Sequence, residues 1–429
     1  MMTKVILINP PSNCVEDDRL EPQLGLLYIA AVLRGKGIPV QIYEMTGCKT
    51  EEQIDRKIKK IPAGEIYGFT TYCTNYLYVK SCINYIHSKM GKSFIVLGGP
   101  NPTALPELTL RDSKCDCVIT GEGEDAFLHV VRSVLKNSDI PPIIRGTVRQ
   151  DINTYPMPAW DLIDMNRYTR TLEGAKVISL ISSRGCKYNC AHCNSVVMGG
   201  GNRVRYRSVK NIVEEINFLK TKGFLKFRFN DDNFTGNPDL SELLYEVKNL
   251  NIRYRIFARI EELTENNCRL LADSGCRHIS IGLESLNPDN LNILGKHPQC
   301  GTEEKHLQNT KKYGMVTRAY FMVGLPYDTD ATIQKYFENA SKLSFDEFSI
   351  YPLIPYPGTQ IWNKPKKYGY EIIDNDFTRY IQIGKDGKTC FVLKHKNFSP
   401  SDIKRWFKIV TKILEAGGKK HTKESEVAN

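Results

Sequence analysis

Short apolar segments alternate with longer amphipathic segments between Lys4 and about Arg145. The short segments are typical of buried strands, and apolar residues recurring at helical spacing are typical of covering helices. Their alternation predicts a doubly wound parallel sheet. The predicted strands are Val5 to Ile8, Val40 to Tyr43, Ile66 to Thr70, Phe94 to Leu97 and Cys117 to Thr120. The predicted helices are Leu24 to Lys36, Glu51 to Ile61, Leu77 to Met90 and Asp125 to Val134.

Three of these strands are followed by turns rich in glycine or proline. The turns read Asn9-Pro10-Pro11, Gly98-Gly99-Pro100 and Gly121-Glu122-Gly123-Glu124. Parallel sheets of this kind bind ligands outside the carboxyl ends of their strands. Glycine lets the backbone approach a bulky flat ligand closely. The pattern therefore predicts a ligand-binding edge, although a purely structural domain would produce the same periodicity.

A proline-punctuated segment, Pro141 to Pro158, separates this region from a second series of strand and helix pairs. Six such pairs predict a partial (β/α)6 barrel, with its chemistry at the carboxyl ends of the strands. We expect an α/β protein with a Rossmann-like sheet domain at 1–145, a linker at 146–172, a barrel at 173–360 and a C-terminal helical extension at 361–429. We expect the extension, which is helix-like from Ser401 to Ala416, to cover the barrel mouth. The predicted barrel strands are Val177 to Ser182, Lys226 to Asn230, Arg253 to Ala258, His278 to Gly282, Ala319 to Gly324 and Glu347 to Pro352.

Composition points to a protein of the cytoplasm. The 429 residues are 41% apolar, which is enough for two sizeable cores. No run of about 18 apolar residues is present, so no membrane span is expected. The N-terminus enters a strand directly, without the layout of a signal peptide. Thirteen cysteines, an odd number without framework spacing, indicate a reducing compartment.

The net charge of +11 raises the question of an acidic partner. The lysines are spread along the chain, which is typical of a solvated surface, and no nucleic-acid-binding module is visible. We therefore expect no nucleic-acid partner. The positive charge is equally consistent with a docking surface for an acidic electron carrier, such as a flavodoxin or ferredoxin.

Three cysteines, Cys186, Cys190 and Cys193, form a C-x3-C-x2-C triplet after the first predicted barrel strand. Three thiolates on one loop can hold three irons of a 4Fe-4S cluster and leave the fourth iron open. A structural zinc site with His192 as fourth ligand is the alternative, but no second ligand pair follows elsewhere. The other cysteines are expected to be small buried hydrophobes or surface thiols: Cys14, Cys48, Cys73, Cys82, Cys115, Cys117, Cys268, Cys276, Cys300 and Cys390.

Polar or glycine-containing strings end the later barrel strands. Paired carboxylates in Asn230-Asp231-Asp232-Asn233 suit an ammonium group, although capping a helix is a common alternative use. Arg259 could pair with a carboxylate or face solvent. The arginines in Arg203-Val204-Arg205-Tyr206-Arg207 could likewise meet an anionic substrate or solvent. Further strings are Ser280-Ile281-Gly282-Leu283-Glu284-Ser285, Met322-Val323-Gly324-Leu325-Pro326 and Tyr351-Pro352-Leu353-Ile354-Pro355-Tyr356-Pro357-Gly358-Thr359.

The cysteine triplet followed by these strings in order resembles the radical SAM superfamily. The resemblance implies that the open iron binds the amino and carboxylate groups of S-adenosylmethionine (SAM). It implies that Asp231, Asp232 and Arg259 face the methionine end of SAM. It also implies that Glu284 and Ser285 face the ribose, and that Gly324, Pro326 and His192 lie near adenine.

The N-terminal region resembles the B12-binding domain found in cobalamin-binding radical SAM proteins. The resemblance rests on Asn9-Pro10-Pro11, Glu21-Pro22-Gln23-Leu24-Gly25, Gly98-Gly99-Pro100-Asn101 and Gly121-Glu122-Gly123-Glu124. It implies cobalamin bound without a histidine below the cobalt, and the D-x-H-x-x-G motif is absent. Asn101 departs from the family, whose members often carry histidine there, and some relatives keep the fold without cobalamin. The residues that would cradle cobalamin are Thr70, Thr71, Gly98, Gly99, Gly121 and Gly123.

Together these resemblances imply an enzyme that cleaves SAM to a 5'-deoxyadenosyl radical and, with cobalamin, methylates an unactivated carbon. The expected substrate is a small metabolite or natural-product intermediate. One alternative is a cobalamin-free radical SAM dehydratase, epimerase or oxidoreductase with a vestigial first domain. Another is an iron-sulfur electron-transfer or binding protein that never cleaves SAM.

Overall fold

A computed structural model describes residues 4–12, 15, 17–198, 203–297, 301–381 and 391–422. Cys14, Cys300, Cys390 and the end of the C-terminal extension lie outside the described residues. The remaining cysteines outside the triplet are all buried free thiols. Among the helices that the structure describes, none has the length and apolar character to cross a lipid bilayer.

The N-terminal region forms a parallel sheet with helices on its faces, as predicted. Its strand order is β2-β1-β3-β4-β5-β6, and every neighbouring pair is parallel. The strands are β1 Val5–Asn9, β2 Val40–Glu44, β3 Ile66–Thr70, β4 Phe94–Gly98, β5 Cys117–Thr120 and β6 Ile143–Arg145. The helices are α1 Leu24–Arg34, α2 Glu51–Ile58, α3 Tyr76–Lys89, α4 Pro100–Ala104, α5 Pro106–Ser113 and α6 Glu124–Leu135.

Two helices of this region were absent from the prediction. α4 and α5 follow the glycine turn after β4, and each has proline in its first turn. Proline is well tolerated there because its fixed φ suits a helix and no intrahelical donor is lost. The proline spacing was interpreted only as a turn, so the short helices that it starts were missed.

The linker binds the two halves of the chain into one core. It contains three 3-10 turns and a small hairpin of β7 Thr171–Leu172 and β8 Ala175–Lys176. Trp160 in the linker is 1% exposed, and its indole Nε1 donates to Glu215 Oε1 at 2.9 Å. The hydrophobic core around Trp160 is continuous from the sheet helices to the barrel.

The second half forms an open barrel in which the six predicted strands are parallel neighbours. The strands and helices up to the last predicted strand are β9 Ile178–Leu180, β10 Ser183–Arg184, α7 Ser195–Met198, β11 Arg205–Tyr206, α8 Val209–Thr221, β12 Lys226–Phe229, α9 Leu240–Asn249, β13 Arg253–Ala258, α10 Glu265–Asp273, β14 Cys276–Glu284, α11 Pro288–Ile293, α12 Glu303–Lys312, β15 Val316–Val323, α13 Asp330–Ser341 and β16 Glu347–Pro352.

The C-terminal extension adds a seventh strand to this sheet. The strand order is β19-β16-β15-β14-β13-β12-β9, and β19 is parallel to β16. Ile381 of the extension lines a cavity at the carboxyl ends of the barrel strands, in line with the expected cover over the barrel mouth. Helix α15 instead packs against α13 on the outside. Its apolar stripe of Ile403, Trp406, Val410 and Leu414 explains the outer position, since this face is fully buried there. The elements are α14 Gln360–Asn363, β17 Tyr370–Ile372, β18 Leu393–His395, α15 Pro400–Ala416 and β19 Lys420–His421.

Candidate functional site

The cysteine loop is held at the carboxyl end of β9 by a short antiparallel ribbon of β10 and β11. Gly185 opens the loop with φ +91°, and a Cβ at this position would lie 2.4 Å from the carbonyl oxygen of Arg203. Only glycine fits this conformation without displacing the ribbon. The loop is anchored further on, where Ala191 N donates to Leu294 O at 2.8 Å and Ile361 N donates to Ala191 O at 3.2 Å.

The three cysteines of the loop line one cavity. Burial raises the pKa of Cys186 and Cys193, so thiolates there need a bound cation. No three His, Cys, Asp or Glu side chains in the described ranges surround a single ion position. A zinc ion would require sulfurs about 2.3 Å from one centre. In an iron-sulfur cluster each thiolate binds a different iron, so the three thiols of the loop need not converge on one ion position.

The cluster cavity, as we call this space of about 620 Å³ beside the cysteines, continues over the ends of the barrel strands. Its residues include four predicted SAM ligands, each from a different part of the barrel: His192, Asp232, Arg259 and Glu284. The structure therefore brings together four of the eight side chains predicted to contact SAM. The loop, β12, β13 and β14 supply them because the carboxyl ends of parallel strands share one edge.

Glu284 occupies a strained position at the rim of this cavity. It ends β14 with φ +62°, next to a shift in the β14–β15 register. Its Oε1 lies 3.1 Å from Lys296 Nζ and 3.9 Å from His192 Nε2. Burial would raise the pKa of Glu284, but the Lys296 ammonium brings it below its ordinary value. A charged carboxylate in a left-handed conformation is a typical feature of binding sites.

His192 presents a buried polar atom that no protein group satisfies. Its Nδ1 is inaccessible and has no hydrogen-bond partner within the described part of the chain. Burial lowers the pKa of His192, so the ring is neutral. An orphaned ring nitrogen in a ligand cavity fits contact with a bound molecule.

The adjacent carboxylates of the Asn230 to Asn233 turn have different environments. Asp231 is 2% exposed and accepts hydrogen bonds from Ser182 N at 3.1 Å, Ser182 Oγ at 2.9 Å and Ser183 Oγ. Burial raises its pKa to about 6. Asp232 is surrounded by protein but open to the cavity, and it accepts from Ser195 Oγ at 2.6 Å. Only Asp232 can therefore contact a ligand directly.

Four predicted SAM residues lie outside the cluster cavity. Asp231 is one of them. Ser285 is buried and accepts from Asn287 N at 3.0 Å. Gly324 donates to Asp328 Oδ2 at 2.9 Å, and a Cβ on it would lie 3.0 Å from Ile403. Pro326 is buried in the same turn.

Arg259 lies inside the cavity but is held by protein groups. Its Nε is 2.5 Å from Glu261 Oε1, and its guanidinium lies over the Tyr188 ring at 3.7 Å from the centroid. Burial would lower the pKa of Arg259, but Glu261 raises it above its ordinary value.

The interdomain cavity, about 810 Å³, opens between the sheet edge and the barrel. Thr70, Gly98, Gly99, Gly121 and Gly123 all line it, as predicted for the cobalamin cradle. Gly121 has φ +74° and open space where a Cβ would point. The exception is Thr71, which is fully buried outside the lining. Its backbone N–H donates to Gly98 O at 2.8 Å, so it shapes the edge from behind.

The interdomain cavity and the cluster cavity share part of their walls. Asp17, Leu20, Thr74 and Asp232 line both. The interdomain cavity reaches Ile181, Ser183, Arg184 and Asn230 on the barrel side. A ligand on the sheet edge would thus face a ligand at the cysteine loop.

Sequence reasoning missed the buried charge pairs that hold the two domains together. Arg205 donates to Glu122 at 2.9 and 2.5 Å, and Arg184 lies 2.7 Å from Glu124. Arg205 and Arg207 were expected to meet a substrate or solvent, but both are buried against acids of the protein. The spacing of arginines along one strand does not reveal an ion-pair partner that lies in another domain.

A second missed group surrounds Glu21 from the loop before α1. Glu21 contacts Arg228 on β12, lies 2.6 Å from Arg170 and accepts from Ser179 Oγ at 3.1 Å. Glu21 itself lines the interdomain cavity. In the sequence, Glu21 was marked only by its place in the string Glu21-Pro22-Gln23-Leu24-Gly25, which gives no indication of these partners.

Two sequence models match the two halves of the chain. The Radical SAM superfamily model matches residues 180–340, and the B12 binding domain model matches residues 16–131. The first range contains the cysteine loop and the strand ends of the cluster cavity. The second contains the two glycine turns that line the interdomain cavity, Gly98-Gly99-Pro100 and Gly121-Glu122-Gly123-Glu124, whereas Asn9-Pro10-Pro11 precedes it.

Known proteins resemble the whole chain. A methyltransferase of Pyrococcus horikoshii, described as uncharacterised, is 28% identical, with 94% of this chain and 90% of that protein covered. The cytidylyl-2-hydroxyethylphosphonate methyltransferase of Streptomyces wedmorensis is 23% identical, with 90% and 85% covered. The fold matches the radical S-adenosylmethionine methyltransferase TsrM from Kitasatospora setae at a TM-score of 0.74 and 16% identity, covering 97% and 89%. The chain therefore contains a radical SAM domain preceded by a B12-binding domain.

Proposed function

We propose that this enzyme cleaves SAM reductively and, with cobalamin, transfers a methyl group to an unactivated carbon of a small molecule. The observation that carries the proposal is the shared wall of the cluster cavity and the interdomain cavity. One cavity has the cysteine loop, the other has the glycine turns, and Asp232 faces both. A substrate at this junction would contact both ligands.

We assign Cys186, Cys190 and Cys193 as ligands of a 4Fe-4S cluster. This assignment is supported by the position of the three thiols on one anchored loop, where all three face the same cavity. In the described part of the chain, no three metal-binding side chains converge on a single ion position. When bound and reduced, the cluster supplies one electron to the sulfonium of SAM, which yields methionine and a 5'-deoxyadenosyl radical. We infer that the electron comes from an acidic carrier such as a flavodoxin or ferredoxin, because the chain has a net charge of +11.

The cavity side chains would orient SAM. The Glu284 carboxylate can accept hydrogen bonds from the ribose hydroxyls, and Lys296 keeps it charged. Arg259 can pair with the methionine carboxylate, and Asp232 can accept from the ammonium group. The His192 ring lines the same cavity and can pack against the ligand. Asp231, Ser285, Gly324 and Pro326 lie outside the cavity and would support these residues.

The interdomain cavity fits a large flat ligand. Gly98, Gly99, Gly121 and Gly123 leave the sheet edge free of side chains, and Thr70 offers a hydroxyl. We assign these residues to cobalamin, whose cobalt can carry a methyl group when the cofactor is bound. Residues of the barrel, among them Ile181, Ser183 and Asn230, line the opposite side. The names of the Pyrococcus and Streptomyces relatives describe methyltransferases, in agreement with this assignment.

The test is anaerobic turnover of the reconstituted full chain. The reaction contains hydroxocobalamin, SAM labelled in its methyl group, a strong reductant and a metabolite extract from the source cell. Mass spectrometry should detect 5'-deoxyadenosine, S-adenosylhomocysteine and a labelled product. 5'-Deoxyadenosine with an unlabelled altered metabolite would overturn methyl transfer, and absence of 5'-deoxyadenosine would overturn radical chemistry.

A variant with Cys186, Cys190 and Cys193 all replaced by alanine is the matched control. We expect it to lose the 4Fe-4S electron paramagnetic signal and 5'-deoxyadenosine production. Its circular dichroism should stay like that of the wild type, because none of the three cysteines belongs to the hydrophobic core, which the loop joins through Ala191. A full cluster signal in this variant would contradict the ligand assignment.

A further inference from the structure

One wall of the cluster cavity is aromatic. Phe257 on β13, Tyr320 on β15 and Tyr351 on β16 all line it. The Tyr320 and Tyr351 rings are stacked, with centroids 6.0 Å apart and an interplanar angle of 20°. The Phe257 and Tyr320 centroids are 6.1 Å apart. These three residues, which we call the aromatic wall, form a continuous ring surface.

The aromatic wall borders the cluster cavity, whereas the interior of a barrel is normally filled with packed side chains. Barrel interiors are packed with branched side chains in layers. Phe257 and Tyr320 lie within strands and are nevertheless only half-buried, because they face the cavity. Gly282, on the strand between them, also lines the cavity and adds no side chain. The Arg228 guanidinium lies 4.9 Å from the Phe257 centroid and supports this ring.

The charges of the cluster cavity do not favour an anionic substrate. Its cationic side chains in the described chain, Arg259 and Lys296, are paired with Glu261 and Glu284. Asp232 adds a carboxylate at the junction with the interdomain cavity, whereas Asp17 there is paired with Arg19 at 3.0 Å. A phosphate in this cavity would meet the Asp232 carboxylate and, among the described lining residues, no Lys or Arg that is not already paired with a protein acid.

We propose that the methyl acceptor has a flat, uncharged aromatic or conjugated ring that binds against the aromatic wall. This inference rests on the proposed function, since it concerns the substrate of the same site. Flat rings pack against tyrosine and phenylalanine by offset stacking or edge contacts. The aromatic wall would then bind the ring of the substrate, and the charged pairs Arg259–Glu261 and Lys296–Glu284 would bind SAM.

Three matched probes test this selection on the full chain reconstituted with cluster, hydroxocobalamin and S-adenosylhomocysteine. They are 2-naphthol, its saturated counterpart trans-2-decalol, and 2-naphthyl phosphate. Equilibrium dialysis under anaerobic conditions measures the binding of each. We expect 2-naphthol to bind about tenfold more tightly than either of the others. Equal binding of decalol, or tighter binding of the phosphate, would overturn the proposal.

Variants of the aromatic wall test whether its rings cause the preference for 2-naphthol over trans-2-decalol. The double variant Tyr320→Leu, Tyr351→Leu should reduce the preference for 2-naphthol over decalol to less than about twofold. Tyr320→Phe should keep it, because the ring remains. Tyr245→Leu, on the outer helix α9 at 68% exposure, is the surface control.

The affinity for S-adenosylhomocysteine separates this inference from the proposed function. If the double variant loses that affinity by the same factor as its affinity for 2-naphthol, the rings belong to the SAM site and the proposal is wrong. Failure of the wild type to bind S-adenosylhomocysteine would instead contradict the proposed function. The naphthol and decalol comparison then still decides what the wall selects.

Discussion

Asp231 and Asp232 are neighbours in sequence but occupy opposite environments. We expect Asp231→Ala to lower the free energy of unfolding by about 3 kcal/mol, because Ser182 and Ser183 lose a buried acceptor. Asp232→Ala should change it by less than about 1 kcal/mol, since this carboxylate faces the cavities. Its effect should be weaker binding of SAM, measured by equilibrium dialysis. Similar unfolding curves for the two variants would contradict this division.

Asp328 provides a pH-dependent test of the turn that contains Gly324 and Pro326. It is 5% exposed and accepts from Gly324 N and Leu325 N at 2.9 Å and from Asn290 Nδ2 at 2.7 Å. Burial raises its pKa from 3.8 to about 7. The folded state therefore holds the proton more tightly than the unfolded state, and stability is lost as the pH rises from about 4 to about 7.

The isosteric Asp328→Asn variant should lack this loss. Over three pH units the wild type should lose about 4 kcal/mol that the variant retains. Melting temperatures of both proteins at pH 5, 6, 7 and 8 provide the measurement. The wild-type temperature should fall relative to that of the variant as the pH rises, and parallel profiles would show that Asp328 is charged throughout.

The sequence predicted the residue types at the site better than their roles. The cysteines and the four glycines are recognisable because their motifs are local. Asp231 and Thr71 resemble ligand residues in sequence, yet Asp231 is turned into the protein by hydrogen bonds from Ser182 and Ser183, and Thr71 is buried, with its backbone N–H bonded to Gly98 O. Such partners lie in other elements, so spacing along one strand could not distinguish Asp231 from Asp232.

At the scale of elements, the β10–β11 ribbon joins the cysteine loop to the interdomain cavity. Arg205 on β11 is 5% exposed and holds Glu122 in the turn after β5. We expect Arg205→Met to lower the melting temperature and the amount of cobalamin retained after gel filtration. A buried carboxylate that loses its partner costs about 3 kcal/mol.

The control is an arginine–aspartate pair between the sheet domain and the linker. Arg34 lies 2.7 Å from Asp161, but both side chains are about half exposed. Arg34→Met should cost less than about 1 kcal/mol, because solvent screens the pair. Equal effects of Arg34→Met and Arg205→Met would mean that burial of the ribbon pair has no special part in joining the domains.

The long strands and helices were predictable because their apolar periodicity is strong. β13 and β16 match their predicted bounds, whereas α4, α5 and β19 were missed. The helices α4 and α5 have too few turns to show a helical periodicity of apolar residues. Strand β19 has only two residues, and it is defined by its pairing with β16 rather than by a sequence pattern. Tertiary contacts, rather than local preference, define these elements.

At the scale of the whole molecule, Glu21 connects the two cavities. It lines the interdomain cavity and contacts Arg228, whose guanidinium lies over Phe257 in the cluster cavity. The sequence predicted both domains but not their shared wall, because neither domain's pattern contains information about the contact between them. A ligand that moves Glu21 would shift Arg228 and, through it, the aromatic wall.

We therefore expect the two ligands to bind cooperatively. Hydroxocobalamin should raise the affinity of the wild type for S-adenosylhomocysteine about fivefold, and S-adenosylhomocysteine should raise the affinity for hydroxocobalamin by the same factor. Glu21→Gln should reduce both factors to less than about twofold, because a neutral amide holds Arg228 less firmly. Asp161→Asn, at an exposed acid of the linker, should leave both unchanged. Isothermal titration of each ligand with and without the other measures the factors. Unequal factors in the wild type would indicate that the titrations had not reached equilibrium, whereas undiminished coupling in Glu21→Gln would assign the connection to other residues of the shared wall.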